Sequence, residues 1–340
     1  MVKRLFVDTP GTIIRVREGA LALAYEGKLL RIRFEDLEEI RIGPGVLIST
    51  DVLLKAIETK TTVFLTNSQG YLEGILMPAT YTGTIKTQRE QIRAYDDERG
   101  TTLMKSFAKA SILTRAKLLK QLAENRRDKP EAQILRDVAE KINEIAERIE
   151  EIEGHIDAIR TNIMSLEANA AEKYFKALKL VIPEKYGYKG IRTRRPPKDP
   201  FNAAISFANN RVRELTLQAV IAAGLHPYFG FLHADKPGRF SLALDLAEEF
   251  IVPIAHAVVI KLFTKEMIKE KDYQQRGKGV YLTRIGREKV LLELEKRLEK
   301  KIRFKGINTT IRNAIYHQAR HLAAYIKKEI RTYEIANIPE

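Results

Sequence analysis

The strongest constraint on the fold lies between residues 135 and 166. Leu135, Val138, Ile142, Ile145, Ile149, Ile152, Ile156, Ile159, Ile163 and Leu166 recur at strictly alternating spacings of three and four. That alternation puts all ten side chains on one stripe of a helix and obliges the stripe to pack along a partner. A preceding amphipathic segment carries Leu103, Phe107, Ala110, Leu118, Leu119 and Leu122, then ends in the polar, proline-closed turn at 125–130. It is the partner the spacing predicts, folded back as an antiparallel hairpin; an intermolecular coiled coil is the alternative. His155 stands beside the seam, off its apolar positions, and reads as a surface residue.

Upstream, the pattern changes from helical to alternating. Arg4–Val7, 12–16, Ala20–Tyr25, 28–34, Glu39–Ile42, 62–65 and 71–77 read as short strands, with a helix over 51–58 and turn signals at Glu26-Gly27, Gly43-Pro44-Gly45 and Asn67 to Gly70. The expected fold class is α+β, with a small amino-terminal β-sheet domain at 1–78, a linker at 79–87 and a larger all-α catalytic domain at 88–340. No catalytic cluster stands in the β domain, which reads as a dimerisation or scaffolding module.

Charge and cysteine content narrow the chemistry. Lys and Arg number 59 against 44 Asp and Glu, a formal charge of +15, which favours a polyanionic partner such as nucleic acid. Within 261–305 there are 15 Lys or Arg against 7 Asp or Glu. With no cysteine, disulfides, thiolate zinc sites and cysteine nucleophiles are excluded, so any metal must rest on carboxylates and histidine. The opening residues lack the apolar core of a signal peptide and no run suits a membrane span, so the chain reads as cytoplasmic with no membrane partner. Abundant Glu, Lys and Arg without Cys or Trp is compatible with a thermophilic source.

The candidate chemistry centres on residues 224–250, GLHPYFGFLHADKPGRFSLALDLAEEF. Asp245 and Glu248 interrupt an otherwise apolar helix, and a buried unpaired carboxylate costs more than the neighbouring leucines recover. A cation is therefore expected beside them. The i, i+3 spacing puts both on one helix face and leaves Glu249 rotated away as a weaker candidate. His233 precedes them, and Glu167, at the end of the seam among small residues, supplies a third ligand. Imidazole and carboxylate donors suit Mg²⁺ or Mn²⁺, which polarise a phosphodiester and activate a hydroxyl. In the competing reading, Asp245 and Glu248 only form ion pairs with Arg239 or Lys261. A Pro-rich segment, 182–201, carries Lys189, Arg192, Arg194, Arg195 and Lys198 and suits a mobile loop that grips phosphates, with a solvated surface loop as the alternative. After 202–223, a mostly apolar helix, and the motif helix, continued to about residue 271, a last helix over 308–331 carries His317 and His321 four apart. That pair lacks a carboxylate pattern and is set aside as a metal site.

Four blocks carry a resemblance. They are 167–175 (EANAAEKYF), 199–207 (DPFNAAISF), 224–233 (GLHP through GFLH) and 241–248 (SLALDLAE), and in this order and spacing they resemble the signature of the Cas-one family, the integrase of CRISPR spacer acquisition. The resemblance covers essentially the whole chain. It implies that Glu167, His233 and Glu248 hold the metal, with Asp245 as a further acidic residue of the site. It implies double-stranded DNA as substrate, joining of a spacer 3′-hydroxyl to a repeat by transesterification, and DNA cleavage. It further implies a homodimer through the β domains and a small dimeric partner, the Cas-two protein. Where family members often carry Gly-Tyr this chain has Ala208-Asn209, and Ile251 and His256 stand where Arg and a later Asp are frequent; these differences bear on DNA contacts rather than on the metal set. His256 reads as a packed helix histidine. A transposase-like integrase of self-synthesising mobile elements shares the catalytic domain, but no extra DNA-binding domain is evident after Tyr333. An architectural DNA-binding protein with structural acids is the non-enzymatic alternative.

Overall fold

The computed structural model describes residues 4–76 and 85–339, and the chain divides into two compact units, Met1–Thr82 and Gly83–Glu340. Most of the expected linker, 79–84, lies outside the described residues, while Ile85 already begins a helix.

The first unit holds eight strands and one helix: β1 Arg4–Val7, β2 Ile13–Arg17, β3 Ala20–Tyr25, β4 Lys28–Ile32, β5 Glu39–Ile42, β6 Leu47–Ile48, α1 Thr50–Glu58, β7 Thr62–Thr66 and β8 Leu72–Leu76. They form two four-stranded sheets, ordered β1-β5-β7-β8 and β4-β3-β2-β6. Alternation explains the core. Val7, Ile14, Leu21, Ile32, Ile40, Ile42 and Val63 from both sheets share one buried cluster with Val52 and Ala56 of α1.

The second unit is mostly helical. Its elements are α2 Ile85–Asp96, α3 Glu98–Glu124, α4 Glu131–Glu150, α5 Ile156–Leu178, α6 Pro200–Ala222, α7 Ser241–Ala247, α8 Ala257–Thr264, β9 Tyr273–Arg276, β10 Gly279–Leu282, α9 Arg284–Leu298, β11 Lys301–Phe304, β12 Ile307–Thr310 and α10 Ile311–Ile326. The two hairpins β9-β10 and β11-β12 correct the all-α expectation. The second turns on Lys305 and Gly306, both at positive φ (44° and 81°), the geometry a two-residue hairpin turn needs.

The isoleucine seam is not one helix. It breaks at Glu151–His155, where Gly154 takes φ 136° and a side chain there would meet Ile159 Cγ2 at 2.8 Å. His155 caps the new helix instead of riding on a continuous one. Ile142, Ile145 and Ile149 on one side of the break, and Ile156, Ile159 and Ile163 on the other, are all buried, each contributing roughly 1.5–3 kcal/mol. The hairpin with α3 forms as expected: Lys120 pairs with Glu140 and Lys109 with Glu150, so α4 runs antiparallel to α3. After the break the chain reverses. Tyr95 Oη, just before α3, donates to Asp157 at 2.6 Å, and Ser111 lies against Glu167, so α5 runs parallel to α3.

Helix α6 is buried along most of its length and on most sides, including Asn202, Asn209, Arg211, Glu214 and Thr216. Asp199 caps it, accepting from Asn202 N at 2.8 Å with Pro200 in the first turn, and Gly224 at φ 77° ends it. The motif helix does not run to 271. A stretch of π-helix over Ile251–His256 separates α7 from α8, which stops at Thr264.

In that π-helix His256 is fully buried, its Nδ1 3.1 Å from Tyr174 Oη and its ring stacked on Tyr174. Burial, reinforced by the charges of Arg115, Arg192, Arg213 and Arg194, holds its pKa well below the ordinary value. The folded chain therefore keeps His256 neutral where the unfolded chain takes up a proton, near pH ~6.5. Its contribution is full above that pH and is lost on acidification at about 1.4 kcal/mol per unit. Thermal unfolding between pH 7.5 and 5.5 should lose less stability in His256→Gln than in the parent chain; equal pH slopes would assign the loss to other groups.

Candidate active site

Three elements converge on one hydroxyl. Ser111 of α3 is fully buried, with Oγ 3.1 Å from Glu167 Oε1 of α5 and 2.7 Å from Glu248 Oε2 at the end of α7. Glu167 reaches it because buried Ile163 and Ala170, four before and three after, fix the inward face of α5. A hydroxyl has one proton to donate, so it satisfies one carboxylate at a time. Arg115, one turn along α3, supplies the rest: its NH2 pairs with Glu167 Oε1 at 2.8 Å and its NH1 donates to the Ser111 carbonyl at 2.8 Å.

His233 is delivered by the segment between α6 and α7. Buried Gln91 of α2 pins that segment, donating to the carbonyls of His226 and Phe229 at 2.9 and 2.8 Å and accepting from His226 N at 2.8 Å. Asp245 then organises its far end. Fully buried, Asp245 accepts from the backbone N–H of Phe231, Leu232 and His233 at 2.6, 3.1 and 2.9 Å and pairs with His233 Nδ1 at 2.7 Å. Only glycine fits at 230, where a Cβ would stand 2.6 Å from Ser241 Cβ and 3.0 Å from Asp245 Oδ2. With the proton held on Nδ1, Nε2 carries the free lone pair, and no hydrogen bond engages it among the described residues. Burial opposes charging the ring, but the hydrogen bond and charge of Asp245, with the charge of Glu248, raise the His233 pKa.

The partners of Asp245 are thus the His233 imidazole and three backbone N–H groups, which take up its acceptors. The ion-pair alternative does not form: Arg239 donates to Ser241 and the Ala234 carbonyl, and Lys261 pairs with Glu293. The donor set facing the site, two carboxylates and one imidazole nitrogen, fits a hard divalent cation. Among the described residues no group of three or more His, Asp or Glu side chains is placed to hold a metal ion; Arg115 pairs with Glu167, and Ser111 lies against both carboxylates.

The basic segment is pinned, not mobile. Tyr186 and Tyr188 are buried, donating to the carbonyls of Ile268 and Phe175, and Arg192 donates to Asn202 Oδ1 and Ser206 Oγ at 2.9 Å each. Burial, with the charges of Arg194 and Arg213, brings Arg192 down to about 10. It is a structural bolt on α6. Lys189, Arg194, Arg195 and Lys198 remain exposed, Lys198 donating to the Lys278 carbonyl, and Arg194 and Arg195 act electrostatically on Arg213. His321 accepts from Glu334 N and lies against Tyr333, so the His317/His321 pair forms no metal site.

Sequence reading passed over Ser111, Arg115, Gln91 and Arg213. The first two left a signal: they share the α3 face of Phe107, Leu118 and Leu122, where two polar residues interrupt an apolar stripe. Glu249, set aside as rotated away, is fully buried. It accepts from Gln318 Nε2 and Ala336 N at 2.9 and 2.6 Å and from Tyr333 Oη, fastening the last residues of the chain to the motif. Burial pushes its carboxyl up to about 7, against these hydrogen bonds.

The sequence profile of the CRISPR associated protein Cas1 family matches residues 5–296. The chain is 34% identical to CRISPR-associated endonuclease Cas1 1 of Archaeoglobus fulgidus over 97% of its own length and 98% of that protein's. The chain belongs to the Cas1 family. A Cas1 endonuclease of Thermus thermophilus is 30% identical over 86% of both chains. Among solved structures, the Cas1 fold recurs in a casposase bound to integration product, at TM-score 0.84 and 22% identity over 99% of this chain and 96% of that one. It recurs also in a CAS1 protein from Thermotoga maritima, at TM-score 0.80 and 22% identity over 95% and 96%. The β-sheet unit followed by a mostly helical unit is thus the family's architecture, and the four motif blocks lie within the matched span.

Replacing Asp245 tests its orienting role. Asp245→Ala strands three backbone donors and should cost about 3 kcal/mol or more. Asp245→Asn, where it folds, should weaken Mn²⁺ binding measured by calorimetry about 10- to 100-fold. Parental affinity in a folded Asn variant would reject the role.

Proposed function

We propose that this Cas1 chain is a metal-dependent DNA integrase and endonuclease that joins DNA 3′-ends to a CRISPR repeat by transesterification. The observation that carries the reading is that Glu167 and Glu248 meet at Ser111 beside Arg115, with the His233 ring and Arg213 both near enough to Glu248 to feel its charge. Glu167, His233 and Glu248 would hold Mg²⁺ or Mn²⁺. When bound, the ion supplies Lewis acidity to the phosphodiester and lowers the pKa of the attacking hydroxyl.

The chain's own residues do the rest. Asp245 keeps the imidazole in one tautomer and one orientation. Ser111 holds the two carboxylates at fixed separation, and Arg115 and Arg213 place positive charge where the phosphoryl oxygens gain negative charge. Transesterification needs no energy source: one P–O bond forms from the attacking 3′-oxygen as another breaks, and the attacker's proton ends on the leaving 3′-oxygen. With water as attacker the same site cleaves. The net charge of +15 and the exposed Lys189, Arg194, Arg195 and Lys198 suit double-stranded DNA as substrate.

Two partners belong to this reading: a second copy paired through the β unit, and a small dimeric Cas2 protein. One structural neighbour is described as a Cas6-RT-Cas1–Cas2 complex. Among the described residues no helix is long and apolar enough to cross a membrane.

The test is a joining reaction with a short duplex bearing 3′-hydroxyl ends and plasmids with or without a repeat. Joined product should require Mg²⁺ or Mn²⁺ and the repeat, and should fall at least about 100-fold in Glu167→Ala and Glu248→Ala. Parental joining in either folded variant would sink the site assignment. Joining that ignores the repeat would favour a mobile-element integrase, and metal-independent binding without joining an architectural protein.

A further inference from the structure

The positive charge downstream of the motif is not used by the active site, yet the fold gathers it. Arg126 and Lys129, in the turn after α3, face Lys261 and Lys265 of α8 and its end, and Lys296 and Arg297 of α9, across a groove of about 740 Å³. Its floor is apolar, made by the buried Leu118, Leu122, Val258 and Ile260. One carboxylate, Glu293, lines it, with its side chain 6% exposed.

Glu293 explains how the rim is built. It bonds Lys261 at 2.7 Å and Lys296 at 2.6 Å, and those hydrogen bonds, Lys261 first, hold its pKa below the usual carboxylate range. One buried charge thereby orients two exposed ammonium groups, from α8 and from α9, and leaves a positive excess. Arg297 is fixed as well, its Nε donating to the Pro253 carbonyl at 3.1 Å. Lys129 and Lys265 are exposed and make no ion pair among the described residues. Arg126 donates to the Leu122 carbonyl and makes no ion pair either.

The groove continues the active site. Ser111, Arg115, Leu118 and Leu122 follow one another at spacings of four, three and four, one face of α3, and Arg126 lies in the turn just past its end. From Arg115 to the end of α3 at Glu124 that face runs ~14 Å at 1.5 Å per residue. On the opposite wall, Pro253 lies in the π-helix just beyond Glu248. A strand rising 3.4 Å per nucleotide covers ~14 Å in roughly four nucleotides.

We propose that this groove is a phosphate-backbone track that grips double-stranded DNA a few nucleotides from the reacting phosphodiester. The proposal rests on the reading of the site as a DNA integrase and extends it to where the substrate arm lies. An open, elongated rim of ammonium and guanidinium groups over an apolar floor follows a polyanion along its length and reads no bases.

The test uses the full chain with Lys129→Glu/Lys265→Glu, exposed positions whose change breaks no ion pair, and the single Lys129→Ala and Lys265→Ala variants beside it. Binding is read by fluorescence anisotropy without metal, on a duplex ending about three base pairs from the reactive phosphodiester and on one extended by about ten. The double variant should bind the long duplex roughly 10-fold more weakly, and the slope of log affinity against log salt should shrink by about 2, or about 0.9 for each single variant. The short duplex should bind as it does to the parent. An unchanged salt slope, or equal loss on both duplexes, overturns the track. Should the double variant fail to fold, the single variants decide by the same slopes. Joining by the parent chain is scored separately, so its absence refutes the integrase reading while the anisotropy still judges the groove.

Discussion

Two carboxylates brought to one hydroxyl set the terms for the helical unit. At an effective dielectric of about 20 and a separation of ~5–6 Å, like charges repel by about 3 kcal/mol. Ser111 and Arg115 offset that repulsion in the absence of an ion. Both lie on α3, which therefore has to be held against the helix carrying Glu167 and the helix ending at Glu248. The hairpin of α3 with α4, the reversal into α5 and the depth of α6 all serve that convergence.

A division of labour among adjacent acids follows from burial. Asp245 is sealed and spends its acceptors on three backbone N–H groups and one imidazole, so it fixes geometry. Glu248, half-buried, accepts from Ser111 of α3. Glu249, sealed on the other side, holds the end of the chain through Gln318, Tyr333 and Ala336. Three acids within five residues thus have three tasks, decided by which way each side chain leaves α7. The π-helix that follows turns Pro253 toward the basic groove and His256 into the core.

How much was legible depended on range. Strand and helix positions follow from local alternation and periodicity, and the four motif blocks, which point to Glu167, His233 and Glu248, are local strings. The break in the isoleucine seam was not legible, because the apolar spacing continues in register across it and only the positive φ of Gly154 reveals the turn. The two hairpins in the second unit were missed for a related reason: four-residue strands are too short for a clear period. Arg192 read as a phosphate ligand because its sequence neighbours are basic, whereas its hydrogen bonds are to α6.

The sequence by itself determined the family, the β unit followed by a helical one, the hairpin of α3 and α4, and the acids and histidine that face one another. These are properties of residue type and near-neighbour spacing. Only the tertiary structure decided that Asp245 spends its acceptors on three backbone N–H groups and the His233 ring, that Ser111 and Arg115 stand between the carboxylates, and that distant basic stretches share one groove. Each depends on contacts between residues far apart in the chain, and side-chain chemistry along the sequence carries no record of which distant partner will arrive.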